Sequence, residues 1–166
     1  MGAGRLAERE DSGRPEMITR IPSGLDEIIH TFGSLNDPNF EARNIIVFTL
    51  PYSLKYAGQI VTRSRSHRLA VDNFLQAFRN VQSAGLTNQF IEFNGIYARR
   101  AIRGQALHPS THSWGIAIDM CASRYPLGSP KRMPDGIIKA FRDAGFFYGG
   151  DFKSRKDPMH FQLATH

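Results

Sequence analysis

The stretch HPSTHSWGIAIDM, residues 108–120, constrains this chain more than any other. From Trp114 to Ile118 it is apolar and reads as a buried strand, yet it ends in Asp119. An ionised carboxylate in an apolar setting is costly unless a partner offsets it. His112 stands seven residues earlier. If both residues bind one metal ion, their donor atoms must nearly touch, because zinc holds imidazole nitrogen and carboxylate oxygen at about 2.0–2.2 Å. Seven residues of strand would separate them by about 23 Å, and seven of helix by about 10 Å. The chain must therefore fold back between them, and Gly115 is the residue that can supply the bend. The spacing predicts a loop-to-strand corner with His112 on the loop and Asp119 on the strand.

A third ligand is available in KDPMHFQ near the C-terminus, where His160 lies in a short apolar run. Asp157 precedes it by three residues, and Pro158 forces Asp157 toward extended backbone. The Asp157 carboxylate is thus free to stand beside the metal as a general base. Two histidines and one carboxylate leave a fourth position open for water, the pattern of a catalytic rather than a structural zinc site.

The rest of the chain fits one small domain. At 166 residues it matches the usual single-domain size, and twelve Phe and five Tyr supply a core. NIIVFTL (44–50), bounded by Pro51, and GQIVTRSR (58–65) read as strands. In residues 66–85, Val71, Phe74, Leu75, Phe78 and Val81 fall on one helical face. Short helices are expected over 22–33, capped by Ser23, and over about 135–144. Asn94-Gly95 is the strongest hairpin signal, GIAIDM (115–120) reads as the site strand, and MHFQL (159–163) as the last strand. The expected fold class is α+β: one domain over 18–166, with helices packed on a small, largely antiparallel sheet that carries the zinc site. Residues 1–17 read as a flexible leader.

Cys121 is the only cysteine, which excludes an internal disulfide and a multi-cysteine zinc site. The formal charge of +6 favours anionic partners, but the basic residues are scattered rather than blocked. No zinc knuckle, Gly-rich phosphate loop or basic-aromatic interleaving points to nucleic acid. The N-terminal MGAGRLAEREDSGRPEM has no apolar run of the signal-peptide kind, and nothing approaches the ~20 apolar residues of a membrane span. Synthesis in the cytoplasm is expected, with release or delivery required for any action outside.

STHSWGIAID resembles the Ser-x-His-x-x-Gly-x-Ala-x-Asp motif of the zinc D-alanyl-D-alanine carboxypeptidases and L-alanyl-D-glutamate endopeptidases. GFFYGGDFKSRKDPMHFQ is similar to their second motif, Gly-Gly-Asp followed by an acid-x-x-His-Phe, and FNGIYARRAIRG to the segment before the first. The resemblance spans about residues 45–163. It implies a zinc hydrolase that cuts peptidoglycan stem peptides, with His112, Asp119 and His160 as ligands. It also implies Asp157 as the catalytic acid, in a place where many members carry Glu. Arg100, or else Arg103, falls where a substrate carboxylate is bound or the carbonyl polarised, and Ser110 where a hydroxyl donates to substrate. A monomer acting in the periplasm or cell wall, as a phage lysis protein, tail enzyme or delivered effector, fits this picture.

Taken alone, several of these residues have plainer readings. Asp119 could face solvent at a strand end, His160 could be a satisfied core histidine, and Asp157-Pro158 could start a helix. Arg100 could be a surface charge. His108 is four residues before His112, but Pro109 and Ser110 lie between and no Glu follows it. His30 and His67 read as surface or packing residues, and Asp151 as part of a turn. A non-catalytic zinc-containing wall-binding module is the competing function; it would have no use for an acid at Asp157.

Overall fold

The structure, a computed structural model, describes residues 16–102 and 104–165. Helices α1 (Gly24–Phe32) and α2 (Phe40–Asn44) lead into a long hairpin, β1 (Ile45–Tyr56) and β2 (Gln59–His67). Helix α3 (Val71–Ser83) follows, then β3 (Phe93–Gly95), a small hairpin of β4 (Ala101–Ile102) and β5 (Gln105–Pro109), and a 3-10 turn over Thr111–Trp114. The chain closes with β6 (Ala117–Met120), α4 (Asp135–Asp143), β7 (Phe147–Tyr148), a further 3-10 turn over Gly149–Asp151, and β8 (His160–Gln162). The central sheet has the order β3-β6-β8-β7, with every neighbouring pair antiparallel. The α+β reading therefore holds, although β1-β2 and β4-β5 form separate two-stranded sheets.

The predicted face of α3 is the one that is buried. Val71, Phe74, Phe78 and Val81 are almost fully inaccessible, and Leu75 packs at the margin. Phe141 of α4 bridges the helices to the sheet: its ring lies 5.9 Å from Phe78 and 4.3 Å from Phe161, stacked on the latter. Strand alternation then decides where the polar residues go. Phe161 faces this aromatic core, so His160 and Gln162 face the other side of β8. In β6, Ile118 and Met120 are wholly buried, and Asp119 shares the face of its cross-strand partner His160. The core thus fixes which sheet face carries the polar cluster.

Three local expectations are corrected. Asn94-Gly95 does not turn a hairpin. Phe93 pairs with Met120 and Gly95 with Asp119, so Asn94 is an extra residue in β3, a bulge beside the polar cluster. The Asn94 amide oxygen accepts the Ala122 N–H at 3.0 Å, which ties down the loop after β6 instead. Pro51 does not end β1; the strand continues to Tyr56 through a register shift between Thr49 and Leu54, where a missing N–H is tolerated. Ser23 makes no side-chain cap to α1; its own N–H donates to Glu27 Oε2 at 2.8 Å. Of the expected leader, residues 1–15 lie outside the described residues, and the backbone N–H groups of Glu16 and Ile18 donate to Asp72 and Asn73.

Candidate metal centre

His112, Asp119 and His160 converge. One ligand atom from each lies within 4.8 Å of the others. Each arrives for a different local reason. Asp119 and His160 are direct partners in the β6-β8 ladder, where opposed side chains have Cβ atoms only about 4.5–5.5 Å apart. His112 stands on the 3-10 turn, where Ser110 Oγ accepts the His112 N–H at 3.3 Å. The turn ends at Gly115, in left-handed backbone at φ 71°. A Cβ there would lie 2.7 Å from the His67 nitrogen, so only glycine lets the turn swing back into β6.

Hydrogen bonds fix which nitrogen of each ring faces inward. His112 Nδ1–H donates to the Ile96 carbonyl at 2.7 Å, just beyond the β3 bulge. Its Nε2 is buried, makes no hydrogen bond with any described residue, and faces Asp119 Oδ2 at 3.2 Å. His160 Nε2–H donates to Gln162 Oε1 at 2.8 Å, which leaves Nδ1 2.9 Å from Asp119 Oδ1. The Gln162 amide is itself held, since its Nε2 donates to the Ala164 carbonyl at 3.0 Å and its Oε1 also accepts the Thr111 hydroxyl at 3.0 Å. Two imidazole lone pairs therefore point at one carboxylate. Such an arrangement needs a cation between the rings, either protons or a metal ion. The donor set of two nitrogens and one carboxylate oxygen suits zinc.

Electrostatics agree with that requirement. Burial pushes the Asp119 carboxyl up, but the imidazoles of His112 and His160 outweigh it and hold the group below the usual carboxylate range. Burial likewise lowers proton affinity at His160, but Asp119 and Asp157 reverse the sign and hold the imidazole above its ordinary value. Protons and a metal ion would compete for the same lone pairs.

The remaining expected residues fall around this cluster. Asp157 is half-buried with Oδ2 4.0 Å from His160 Nδ1. Its loop is drawn in by two contacts: the Asp157 N–H donates to the Gly149 carbonyl at 3.0 Å, and Tyr148 Oη donates to the Pro158 carbonyl at 3.0 Å. A Cβ on Gly149 would come within 2.5 Å of the Asp157 carbonyl, so that residue serves close approach. Arg100 is at the site, but its Nη2 donates to Asp119 Oδ2 at 3.2 Å, so its guanidinium is engaged with the cluster itself. Ser110 lines the cavity above the cluster and is mostly buried. Arg103 lies outside the described residues.

His108 is exposed on the cavity wall and is not part of the cluster. Asp151 turns away and pairs with Arg132 and Arg142. His67 is a packing residue, donating from Nε2 to the Phe32 carbonyl at 2.9 Å. Sequence reasoning overlooked Gln162 and the Ile96 carbonyl. Gln162 had a signal, since a residue two beyond His160 on a strand must share its face. The Ile96 carbonyl had none, because a backbone acceptor carries no residue signature.

Residues 103–163 match the family model of D-alanyl-D-alanine carboxypeptidase. The match holds His112, Asp119, Asp157 and His160, and begins just after Arg100. It covers the C-terminal part of the longer resemblance expected from about residue 45. Neither curated proteins nor solved structures gave a match. No helix among the described residues is long and apolar enough to cross a membrane.

Proposed function

We propose that the protein is a zinc-dependent peptidase that hydrolyses peptide bonds in the stem peptides of bacterial peptidoglycan. One observation carries the reading above the rest. Two oriented imidazoles and a carboxylate converge within 4.8 Å, with a second carboxylate, Asp157, beside them. The family match over the same residues supports the substrate class.

His112 Nε2, an oxygen of Asp119 and His160 Nδ1 would hold the ion. A zinc ion supplies Lewis acidity toward the scissile carbonyl and lowers the pKa of water toward ~7. Asp157 takes a proton from the attacking water and delivers it to the leaving amine as the C–N bond breaks. Its short side chain suits this position because the tightly held loop over Gly149 brings its backbone close. Arg100 neutralises Asp119 and lies where charge develops on the carbonyl oxygen; its fork keeps further donors for substrate. The Ser110 hydroxyl accepts from the His112 N–H and retains its own proton for a substrate oxygen. The protein acts as a monomer, in the periplasm or cell wall.

The test is amine release from purified peptidoglycan. Zinc-loaded protein is expected to generate new amine termini or free D-alanine. Zinc-loaded protein with verified metal content that releases neither would contradict the assignment.

A further inference from the structure

Tyr148 ends β7, and its ring is fully buried, 4.9 Å from the Phe161 ring on β8. Three neighbours seat it. Gly150 carries no side chain, and a Cβ there would overlap the ring. The Arg132 guanidinium lies 5.1 Å from the ring centroid, and its Nη1 donates to Asp151 Oδ1 at 2.9 Å. The Met133 N–H donates to the hydroxyl oxygen at 3.1 Å. A phenol has a single proton to give, and here it goes to the Pro158 carbonyl at 3.0 Å. Ring and hydroxyl are both fixed.

That carbonyl belongs to the turn between Asp157 and His160. Pro158 and Met159 are its central residues, and the His160 N–H donates back to the Asp157 carbonyl at 3.1 Å. Proline suits the second position of such a turn, because its fixed φ is already the one required. The Asp157 N–H donates to the Gly149 carbonyl at 3.0 Å, so every main-chain polar group of Asp157-Pro158 is engaged. Two of the three partners are backbone groups. The Tyr148 hydroxyl is the one side chain among them. His160 is held independently, by its ladder with Asp119 and by Gln162. Asp157 lies outside that ladder, and its side chain is short, so its carboxylate goes where the turn places it.

We propose that Tyr148 is a positioning residue: by holding the Pro158 carbonyl, its hydroxyl keeps the Asp157 carboxylate beside the cluster without acting on the metal ligands. The proposal rests on the peptidase reading above. Three consecutive residues then serve one end. Tyr148 holds the Pro158 carbonyl, Gly149 holds the Asp157 N–H, and Gly150 leaves room for the ring. Tyr148 lines neither cavity at the cluster. Its removal can still be felt there, since a displacement on the order of 1 Å in a reacting group can cost about 100-fold in rate.

The test compares zinc-loaded Tyr148→Phe with wild type on solubilised muropeptides. In Tyr148→Phe, kcat is expected to fall about 10–100-fold, with KM and zinc affinity unchanged. Tyr148→p-aminophenylalanine, which keeps a donor in the same place, is expected to recover most of that loss. An unchanged kcat in Tyr148→Phe, or a zinc affinity that falls along with it, overturns the proposal. If the phenylalanine variant does not fold, the p-aminophenylalanine variant decides: near wild-type kcat supports the donor role, and a folded variant slower by roughly tenfold or more refutes it. Amide hydrogen exchange in the metal-free protein separates these outcomes from failure of the peptidase reading. The His160 N–H closes the turn, and in Tyr148→Phe it is expected to exchange at least about fivefold faster. The Leu163 N–H, bonded to the Ile116 carbonyl, should keep its wild-type rate. That pattern supports the anchor even if wild type cuts nothing, and His160 exchange at the wild-type rate refutes it whatever the activity.

Discussion

Gln162 accepts the Nε2 proton of His160 at 2.8 Å, and that bond decides which nitrogen of His160 faces Asp119. The amide has no freedom to do otherwise, because Thr111 and the Ala164 carbonyl hold its other valences. A residue two positions along β8 thus sets which nitrogen of the ring faces the carboxylate.

Removing that acceptor should loosen the metal. Gln162→Leu is expected to weaken zinc binding by about 10–100-fold, the usual scale for a lost outer partner of a ligating histidine. Gln162→Glu keeps the acceptor and should stay much closer to wild type. Competition against a chromophoric chelator measures both; equal affinity in Gln162→Leu would remove Gln162 from the account.

Gly115 should be intolerant of any side chain. Left-handed backbone at an alanine costs about 1–3 kcal/mol, and the added Cβ would also meet the His67 nitrogen at 2.7 Å and the Ser66 carbonyl carbon at 3.1 Å. Gly115→Ala is therefore expected to lower the melting temperature markedly in the metal-free protein. A melting curve unchanged from wild type would contradict the corner geometry.

His67 should make the fold acid-sensitive. Burial pushes its imidazole down from 6.5 to about 4, and its Nδ1 is occupied as the acceptor of the Leu69 N–H at 3.2 Å. The unfolded chain takes up a proton below pH 6.5 while the native state resists it until about 4. This contribution to stability is complete above pH 6.5 and falls away as pH drops toward 4, by about 3 kcal/mol. Urea midpoints of the metal-free protein should decline more steeply over that window than those of His67→Gln. Parallel declines would show that His67 is not the source.

Much of the fold was legible where the signal was periodic or local. The apolar face of α3 and the run Trp114–Ile118 each admit one burial pattern, and the spacing from His112 to Asp119 demanded a bend at the single glycine between them. Asn94-Gly95 misled because the same dipeptide that favours a two-residue turn also tolerates a bulge, and the choice was made by a partner strand, β6, that is distant in sequence. Arg100 could be placed near the site but not paired, because its bond to Asp119 depends on the 3-10 turn lying against its backbone. The N–H of Arg100 donates to Ser113 Oγ at 3.0 Å, and its carbonyl accepts the Ser110 N–H at 2.9 Å.

The central claim is that His112, Asp119 and His160 hold a metal ion while Asp157 moves the proton. Mass spectrometry of peptidoglycan fragments, run alongside zinc content for each variant, tests it most directly. Alanine at His112, Asp119 or His160 is expected to lose zinc and products together. Asp157→Asn is expected to retain about one zinc per chain, as three intact ligands imply, and to release no fragments. Fragments from Asp157→Asn at the wild-type rate, or full zinc content in His160→Ala, would contradict it.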